Sequence, residues 1–194
     1  MSIVRILVLS TSLDKTSRSR DLAYMCRELL EQRGMDTLFV DLVQLNVPNF
    51  DNNAIYETEV YLELHEKTRQ SDGIVLCSPV YNWGVSSELK KYIEYVGSTP
   101  PGGAFEGALF DKVVTFVNAG GLPHSYTAFR EAATSLMLDF KCIVNPYHVY
   151  AHNRHWQGDV LVEETKQRAE KSMSVLVELC TLLAGRSYRS TWEI

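Results

Sequence analysis

Short, almost wholly apolar runs alternate with segments of helical periodicity along the chain. The apolar runs cover residues 3–9, 37–40, 73–77, 113–117 and 142–151. A strand that is apolar on both faces is typical of a parallel sheet with helices on each side. Apolar side chains at helical spacing predict intervening helices over residues 22–30, 89–96, 129–140 and 169–183, and residues 57–70 are also predicted to be helical, although their apolar stripe is poor. The pattern therefore predicts five strand–helix units.

This alternation favours one fold class. Five units joined by right-handed crossovers form an open parallel sheet, and they are too few for a TIM barrel. We therefore predict an α/β fold with a doubly wound five-stranded parallel sheet in the order 2-1-3-4-5, a flavodoxin-like three-layer sandwich. In that order, ligands bind at the carboxyl ends of the strands, at the switch point between the first and third strands.

Composition limits the classes of partner and compartment. The 194 residues fit a single domain over 1–194, with a formal net charge of −5. That charge argues against nucleic acid or an anionic membrane as a partner, and the apolar runs are too short to span a bilayer. The cysteines show neither CxxC nor metal-ligand spacing, which predicts reduced core thiols and a cytoplasmic protein. They are Cys26, Cys77, Cys142 and Cys180.

A hydroxyl-rich loop follows the first strand. Residues 10–19 read STSLDKTSRS, with basic side chains among the hydroxyls. Hydroxyls, backbone N–H groups and a helix N-terminus together form an anion site, although a polar loop with a serine cap has a similar composition. The loop contains neither GxGxxG nor GxxxxGK[ST]. The candidate phosphate ligands are Ser10, Ser12, Ser17, Arg18 and Ser19.

Two further loops meet the same edge of the predicted sheet. In SPVYNWGVSS, residues 78–87, Pro79 predicts the end of the third strand. Tyr81 and Trp83 offer a face for a planar ring, or pack on neighbouring loops or a second subunit. In VNAGGLPHS, residues 117–125, the two glycines allow a ligand to approach the backbone or simply form a turn.

The motifs resemble those of the NAD(P)H-dependent FMN reductase family of flavodoxin-like proteins. The family pattern G-S-x-R-x-x-S-x-N corresponds to T-S-L-D-K-T-S-R-S at residues 11–19. Its P-E-Y-N, followed by L-K, corresponds to PVYNWGVSSELK at residues 79–90, and a Gly-Gly follows the fourth strand. Thr11, Asp14 and Ser19 stand where the family usually has Gly, Arg and Asn.

The resemblance implies an oxidoreductase with FMN as cofactor and NADPH or NADH as co-substrate. Hydride would pass through FMN to a second acceptor, such as free flavin, a quinone, an azo dye or a metal oxyanion, without a catalytic side chain. It also implies a homodimer or dimer of dimers, with Tyr92 and Tyr95 at the interface. The phosphate would lie on Ser12, Ser17 and Ser19. The isoalloxazine would contact residues from both other loops: Pro79, Val80, Tyr81, Asn82, Trp83, Asn118, Gly120 and Gly121.

Two other classes stay open at this point. One is a flavodoxin-like electron carrier, which usually has a TxTGxT-like loop that is absent here. The other is a flavin-free regulatory member in which Asp14 has weakened the phosphate site. No metal is expected, because His148, His152 and His155 lack supporting carboxylate or cysteine spacing. The segment 97–110 is a lid, an interface element or an ordinary surface loop.

Overall fold

The computed structural model describes residues 4–102 and 107–192, so part of the 97–110 loop lies outside the described residues. The strands are β1 (Arg5–Ser10), β2 (Asp36–Asp41), β3 (Gly73–Tyr81), β4 (Gly84–Val85), β5 (Val113–Gly120), β6 (Ile143–Val144), β7 (Val149–His152), β8 (Trp156–Gln157) and β9 (Val160–Leu161). The α-helices are α1 (Arg18–Glu31), α2 (Glu59–Arg69), α3 (Ser87–Gly97), α4 (Arg130–Phe140) and α5 (Glu163–Leu183).

Parallel pairing links the main strands in the order β2-β1-β3-β5-β6, and β7 also pairs with β5. Because β6 and β7 share the fifth position, the main strands follow the predicted order 2-1-3-4-5. The structure adds β4, which is antiparallel to β3, and a separate β8–β9 hairpin. The predicted fold class, a flavodoxin-like α/β protein, is confirmed.

The predicted fifth strand, residues 142–151, is divided in two. Asn145 donates from Nδ2 to Thr115 Oγ1 and to Ser172 O, both at 2.9 Å. The next residue, Pro146, has no N–H with which to continue the ladder. The Asn145 amide therefore fastens the chain to β5 and α5 where the ladder is interrupted.

Two apolar layers lie on opposite faces of the sheet. Alternate residues of β1 enter different layers: Ile6 and Val8 face α1 and α5, whereas Leu7 and Leu9 face α2, α3 and α4. Both sets are fully buried. This explains why the central strands are apolar at nearly every position, as a sheet covered on both sides requires.

Pro79 does not end β3, contrary to the prediction from sequence. The strand continues to Tyr81, and Pro79 pairs with Ala119 of β5. On its other edge, β3 loses its β1 partner after the pair of Cys77 with Ser10. A residue without an N–H is tolerated beyond that point, because no β1 ladder remains to be completed.

Tyr92 and Tyr95 are core residues, so the predicted role in a subunit interface is wrong for both. They are 1% and 0% exposed. The Tyr92 hydroxyl lies 2.6 Å from Thr68 Oγ1, and the Tyr95 hydroxyl donates to Pro48 O at 2.7 Å. Each phenol hydroxyl thus has a hydrogen-bond partner within the chain, while α3 packs on the sheet.

All four cysteines are buried and unpaired, as predicted. Burial raises the pKa of the Cys77 thiol well above its usual value. Within the described ranges, none of the helices combines the length and apolar character needed to cross a membrane.

Candidate active site

Strand register brings the three predicted loops to one edge of the sheet. Ser10, the last residue of β1, pairs with Cys77, and the next residue of β3, Ser78, pairs with Asn118 of β5. The three chain segments therefore leave the sheet at nearly the same level. Asn118 is buried and donates from Nδ2 to Ser78 O at 3.3 Å, which holds the second and third loops together.

The base of the first loop is buried and rich in hydroxyls. Ser10, Ser12 and Ser19 are all 1% exposed or less. Ser17 caps α1, and its Oγ lies 2.8 Å from Ser19 Oγ. The Ser10 hydroxyl is buried and has no hydrogen-bond partner among the described residues. A buried hydroxyl of this kind is costly unless a ligand or water satisfies it, so the donor set at the start of α1 fits a phosphate group.

Thr11 points away from this loop, into the protein. Its Oγ1 lies 3.1 Å from Cys77 O and 2.9 Å from Ser86 Oγ. Ser86 caps α3 by accepting from Leu89 N at 3.3 Å. The residue that replaces the family's usual glycine therefore connects β1, β3 and the start of α3 without entering the candidate phosphate site.

Asp14 shapes the exposed tip of the loop. Its Oδ1 accepts from the backbone N–H and from the hydroxyl of Thr16, both at 2.9 Å. These two hydrogen bonds, the backbone one first, lower the pKa of Asp14. The carboxylate is exposed and ionised at neutral pH, so it places a negative charge in a loop that is otherwise suited to an anion.

Arg20 fastens the loop from behind, a role that the sequence analysis missed. Its guanidinium donates from Nε to Asp41 Oδ2 at 2.7 Å and from an Nη to Ser12 O at 2.5 Å. A further bond reaches Asp14 O. Both charged side chains of the Arg20–Asp41 pair are buried. Arg20 lies in the first turn of α1, and Asp41 ends β2. Because parallel strands end at the same edge of a sheet, these two positions could have predicted the ion pair from the sequence.

Arg18 has partners away from the loop. It donates to Gly158 O at 2.7 Å, lies 3.2 Å from an Asp159 carboxylate oxygen, and stacks 4.4 Å from the centre of the Trp156 ring. These contacts attach α1 to the β8–β9 hairpin. The assignment of Arg18 to a phosphate stays a prediction, and the structure gives it a structural role as well.

A tight aromatic turn follows β3. Asn82 and Trp83 have φ values of 48° and 65°, and Tyr81 pairs with Gly84 across the turn. Two successive left-handed residues form the type of turn that suits a two-residue hairpin. Tyr81 and Trp83 are 58% and 62% exposed. The Trp83 ring lies parallel to His124 of the third loop, with 6.1 Å between their centres. The aromatic pair connects the second and third loops.

The two candidate glycines have different surroundings. A Cβ on Gly120 would lie 2.4 Å from the Tyr150 hydroxyl, so the absent side chain makes room for Tyr150. A Cβ on Gly121 would meet nothing within 4 Å. The backbone at Gly121 is therefore open to a ligand, whereas Gly120 is explained by packing.

The three histidines between residues 148 and 155 have different contacts. His148 packs against Phe129 with ring centres 4.4 Å apart, whereas His152 and His155 lie against each other with tilted rings whose centres are 4.0 Å apart. Burial is the main cause that lowers the pKa of His148 and of His152. In residues 4–102 and 107–192, no three metal-ligating side chains come together.

A doubly wound sheet with a hydroxyl-lined loop and an aromatic turn at its switch point is the arrangement of a flavodoxin-like protein. The family described as NADPH-dependent FMN reductase matches residues 4–157, and the chain belongs to that family. The predicted family is thus confirmed, and so are an oxidoreductase activity and the use of FMN with a nicotinamide nucleotide.

Similar proteins match nearly the full length of the chain. An NAD(P)H:quinone oxidoreductase from Solanum tuberosum is 26% identical and covers 95% of this chain and 96% of its own. An NADPH:quinone oxidoreductase from Arabidopsis thaliana is 28% identical, with 95% of each chain covered. Among solved structures, the NAD(P)H:(acceptor) oxidoreductase FerB from Paracoccus denitrificans superposes with a TM-score of 0.74 at 18% identity, covering 93% of this chain and 98% of its own.

Proposed function

We propose that the protein is an NAD(P)H:quinone oxidoreductase with its FMN site at the carboxyl ends of β1, β3 and β5. The observation that carries this proposal is the buried hydroxyl set of the first loop, in which Ser10 Oγ has no partner among the described residues. The set lies at the start of α1 and at the same sheet edge as the exposed aromatic turn. A candidate phosphate site thus lies beside a planar aromatic surface, as an FMN site requires.

The two parts of the site hold different parts of the cofactor. Hydroxyls and N–H groups of the first loop would bind the phosphate at the positive end of the α1 dipole. The aromatic turn and the third loop would contact the ring. The chemistry that bound FMN supplies is hydride transfer between nicotinamide and acceptor. The proposed ligands are Ser10, Ser12, Ser17, Arg18, Ser19, Pro79, Val80, Tyr81, Asn82, Trp83, Asn118, Gly120 and Gly121.

The choice of a quinone as acceptor has two supports. Two relatives that match 95% of the chain are named quinone oxidoreductases. In addition, large side chains with apolar surface are exposed on the second loop, on the third loop and at the residue that follows it: Tyr81, Trp83, Leu122 and Tyr126. Such a rim favours a flat apolar acceptor over a metal oxyanion.

Substituting Ser17→Glu tests the site and the activity together. The fold tolerates a carboxylate at the start of α1, but the new charge repels the FMN phosphate and removes a hydroxyl. We expect the affinity for FMN to fall roughly 10- to 150-fold, measured by flavin fluorescence, and the affinity for riboflavin to change much less. Quinone-dependent NAD(P)H oxidation falls with FMN occupancy.

Four outcomes would contradict this proposal. Unchanged FMN binding by a folded Ser17→Glu variant places the phosphate elsewhere. A yellow parent protein that does not oxidise NAD(P)H is an electron carrier, and a colourless, inactive parent is a regulatory protein. Activity with free flavin but not with benzoquinone identifies another acceptor.

We further propose that the protein is a homo-oligomer in the cytoplasm. The exposed apolar rim around the site, together with Met137 and Leu138 on α4, supplies surface for a second copy of the chain. Four buried, unpaired cysteines suit a reducing compartment. Light scattering that shows only a monomer at micromolar concentration contradicts the oligomer.

A further inference from the structure

A cavity lies at the edge of the sheet opposite the candidate active site. Its volume is about 530 Å³, and it is enclosed by the end of α2, the segment before β5 and the C-terminal segment after α5. Lys112, which lines it, directly precedes β5, and the aromatic-turn edge lies at the other end of this eight-residue strand. At about 3.3 Å per residue, the two edges are separated by more than about 20 Å. The cavity is therefore distinct from the proposed FMN site.

Fixed contacts hold the C-terminal segment over this cavity. The Ser190 backbone N–H and hydroxyl donate to the two carboxylate oxygens of Asp111, at 2.9 and 2.6 Å. Trp192 packs edge-on against Phe110 and Phe140, with ring centres 4.9 and 5.4 Å apart. These contacts make the segment a wall of the cavity.

Four basic side chains line the cavity: Arg69, Lys112, Arg186 and Arg189. In the part of the chain that the structure describes, Lys112 makes no ion pair, and its ammonium donates only to the backbone carbonyls of Arg69 and Ser71. Arg186 Nε is buried without a hydrogen-bond partner. Burial lowers the pKa of Lys112 to about 8, and the nearby Asp72 carboxylate offsets only part of that effect.

The acidic side chains near the cavity are already engaged. Asp111 binds Ser190 and lies 4.0 Å from Arg186, and Glu66 pairs with Arg69 at 2.7 Å. Asp72, the carboxylate that acts on Lys112, accepts from the Arg5 backbone N–H at 2.9 Å. Arg189 makes neither a hydrogen bond nor an ion pair with the described residues and is exposed on the cavity wall. Donors of Lys112, Arg186 and Arg189 therefore remain available in one enclosed space.

We propose that this cavity binds a phosphate-type oxyanion, either free or as the phosphate group of a small ester. A compact multivalent oxyanion accepts several charge-assisted hydrogen bonds at once, which suits converging guanidinium and ammonium donors. Bound there, it satisfies Arg186 Nε and balances the buried charge of Lys112. It also connects the C-terminal segment to the start of β5.

The test uses the FMN-loaded protein, so that the first phosphate site is occupied. Inorganic phosphate, pyrophosphate and AMP are titrated at constant ionic strength, and binding is followed by NMR shifts of the Lys112, Arg186 and Ser190 backbone amides. We expect saturable shifts at these amides. A preference for AMP over phosphate identifies an ester as the ligand, and the reverse identifies the free ion.

Arg189→Gln is the informative variant, because Arg189 is exposed and its loss leaves the fold intact. We expect it to weaken binding by about tenfold or more. Arg130→Gln, the same change at the start of α4, serves as the control and leaves binding unchanged. Lys112→Met is a second variant with the same expected loss. Absent or non-saturating shifts, or equal affinities in Arg189→Gln and Arg130→Gln, overturn the proposal. The visible FMN spectrum reports whether each variant is folded.

Discussion

Two aspartates make the same backbone turn in different places, and only one of them lies in the proposed FMN site. Asp14 accepts from Thr16 N, and Asp51 accepts from Asn53 N and Ile55 N at 3.0 and 3.1 Å. In both cases, backbone hydrogen bonds are the main cause that lowers the pKa of the carboxyl. Asp14 therefore stabilises the turn, although its charge opposes a phosphate.

Asparagine separates these two properties, because its Oδ1 keeps the turn while the charge is removed. We expect Asp14→Asn to bind FMN several-fold more tightly than the parent, with the gain decreasing as salt is added. Riboflavin affinity stays as it was. Fluorescence titration measures both. Asp51→Asn is the matched control, and an equal gain in that variant would show that the effect does not come from charge near the phosphate.

Individual residues were predictable from sequence where their role is local. The cap at Ser17 follows from its position before a helical stripe. Arg20 and Asp41 were not predictable in this way, because their contact joins residues 21 positions apart and depends on where β2 ends. Gly120 was misleading, since its missing side chain is explained by Tyr150, a partner 30 residues later.

Among the elements, the β3–β4 turn has an unusual composition. A type I′ turn favours Asn-Gly, and here Asn82 is followed by Trp83 at a φ of 65°. Left-handed backbone costs a residue with a side chain about 1–2 kcal/mol relative to glycine. Trp83 thus occupies this position at a local conformational cost, which favours a role for its ring beside His124.

Comparing Trp83→Gly with Trp83→Ala isolates that cost. Both variants lack the ring, so the contact with His124 is lost equally. We expect the glycine variant to have a free energy of unfolding about 1 kcal/mol higher than that of the alanine variant, measured by urea denaturation. Equal stabilities would show that the residue is not left-handed in solution. The KM for a quinone rises in both variants if the ring contributes to acceptor binding.

Sequence periodicity predicted the existence of the strands and helices better than their boundaries. Alternating apolar runs were sufficient for the sheet, because burial on both faces leaves a direct mark on composition. The division of the fifth strand depends on the Asn145 side chain reaching Thr115 and Ser172, and the continuation of β3 through Pro79 depends on the length of β1. Contacts of this kind are set by tertiary structure and leave no local pattern.

For the whole molecule, Lys112 links stability to pH. Burial lowers its pKa from 10.5 to about 8 in the folded protein. Between these values the unfolded chain binds the proton more tightly, so unfolding takes up a proton and stability rises with pH. Relative to Lys112→Met, the parent is expected to gain about 2–3 kcal/mol of unfolding free energy from about pH 8 to about pH 10.5.

Urea denaturation of the parent and of Lys112→Met across this pH range measures the gain. Lys15→Met removes an exposed lysine and is the control. A difference between parent and Lys112→Met that stays constant with pH would show that the ammonium is solvated in the native state.

The attachment of the first loop by Arg20 and Asp41 has a consequence for how the cofactor comes and goes. The carbonyls of Ser12 and Asp14 are held by the guanidinium from inside the protein, so the loop keeps its shape whether or not a phosphate is present. Little ordering is then needed on binding, and little structure is lost on release. At the proposed site, we therefore expect FMN to bind reversibly to a preformed loop, so that the fraction of active protein follows the concentration of free FMN.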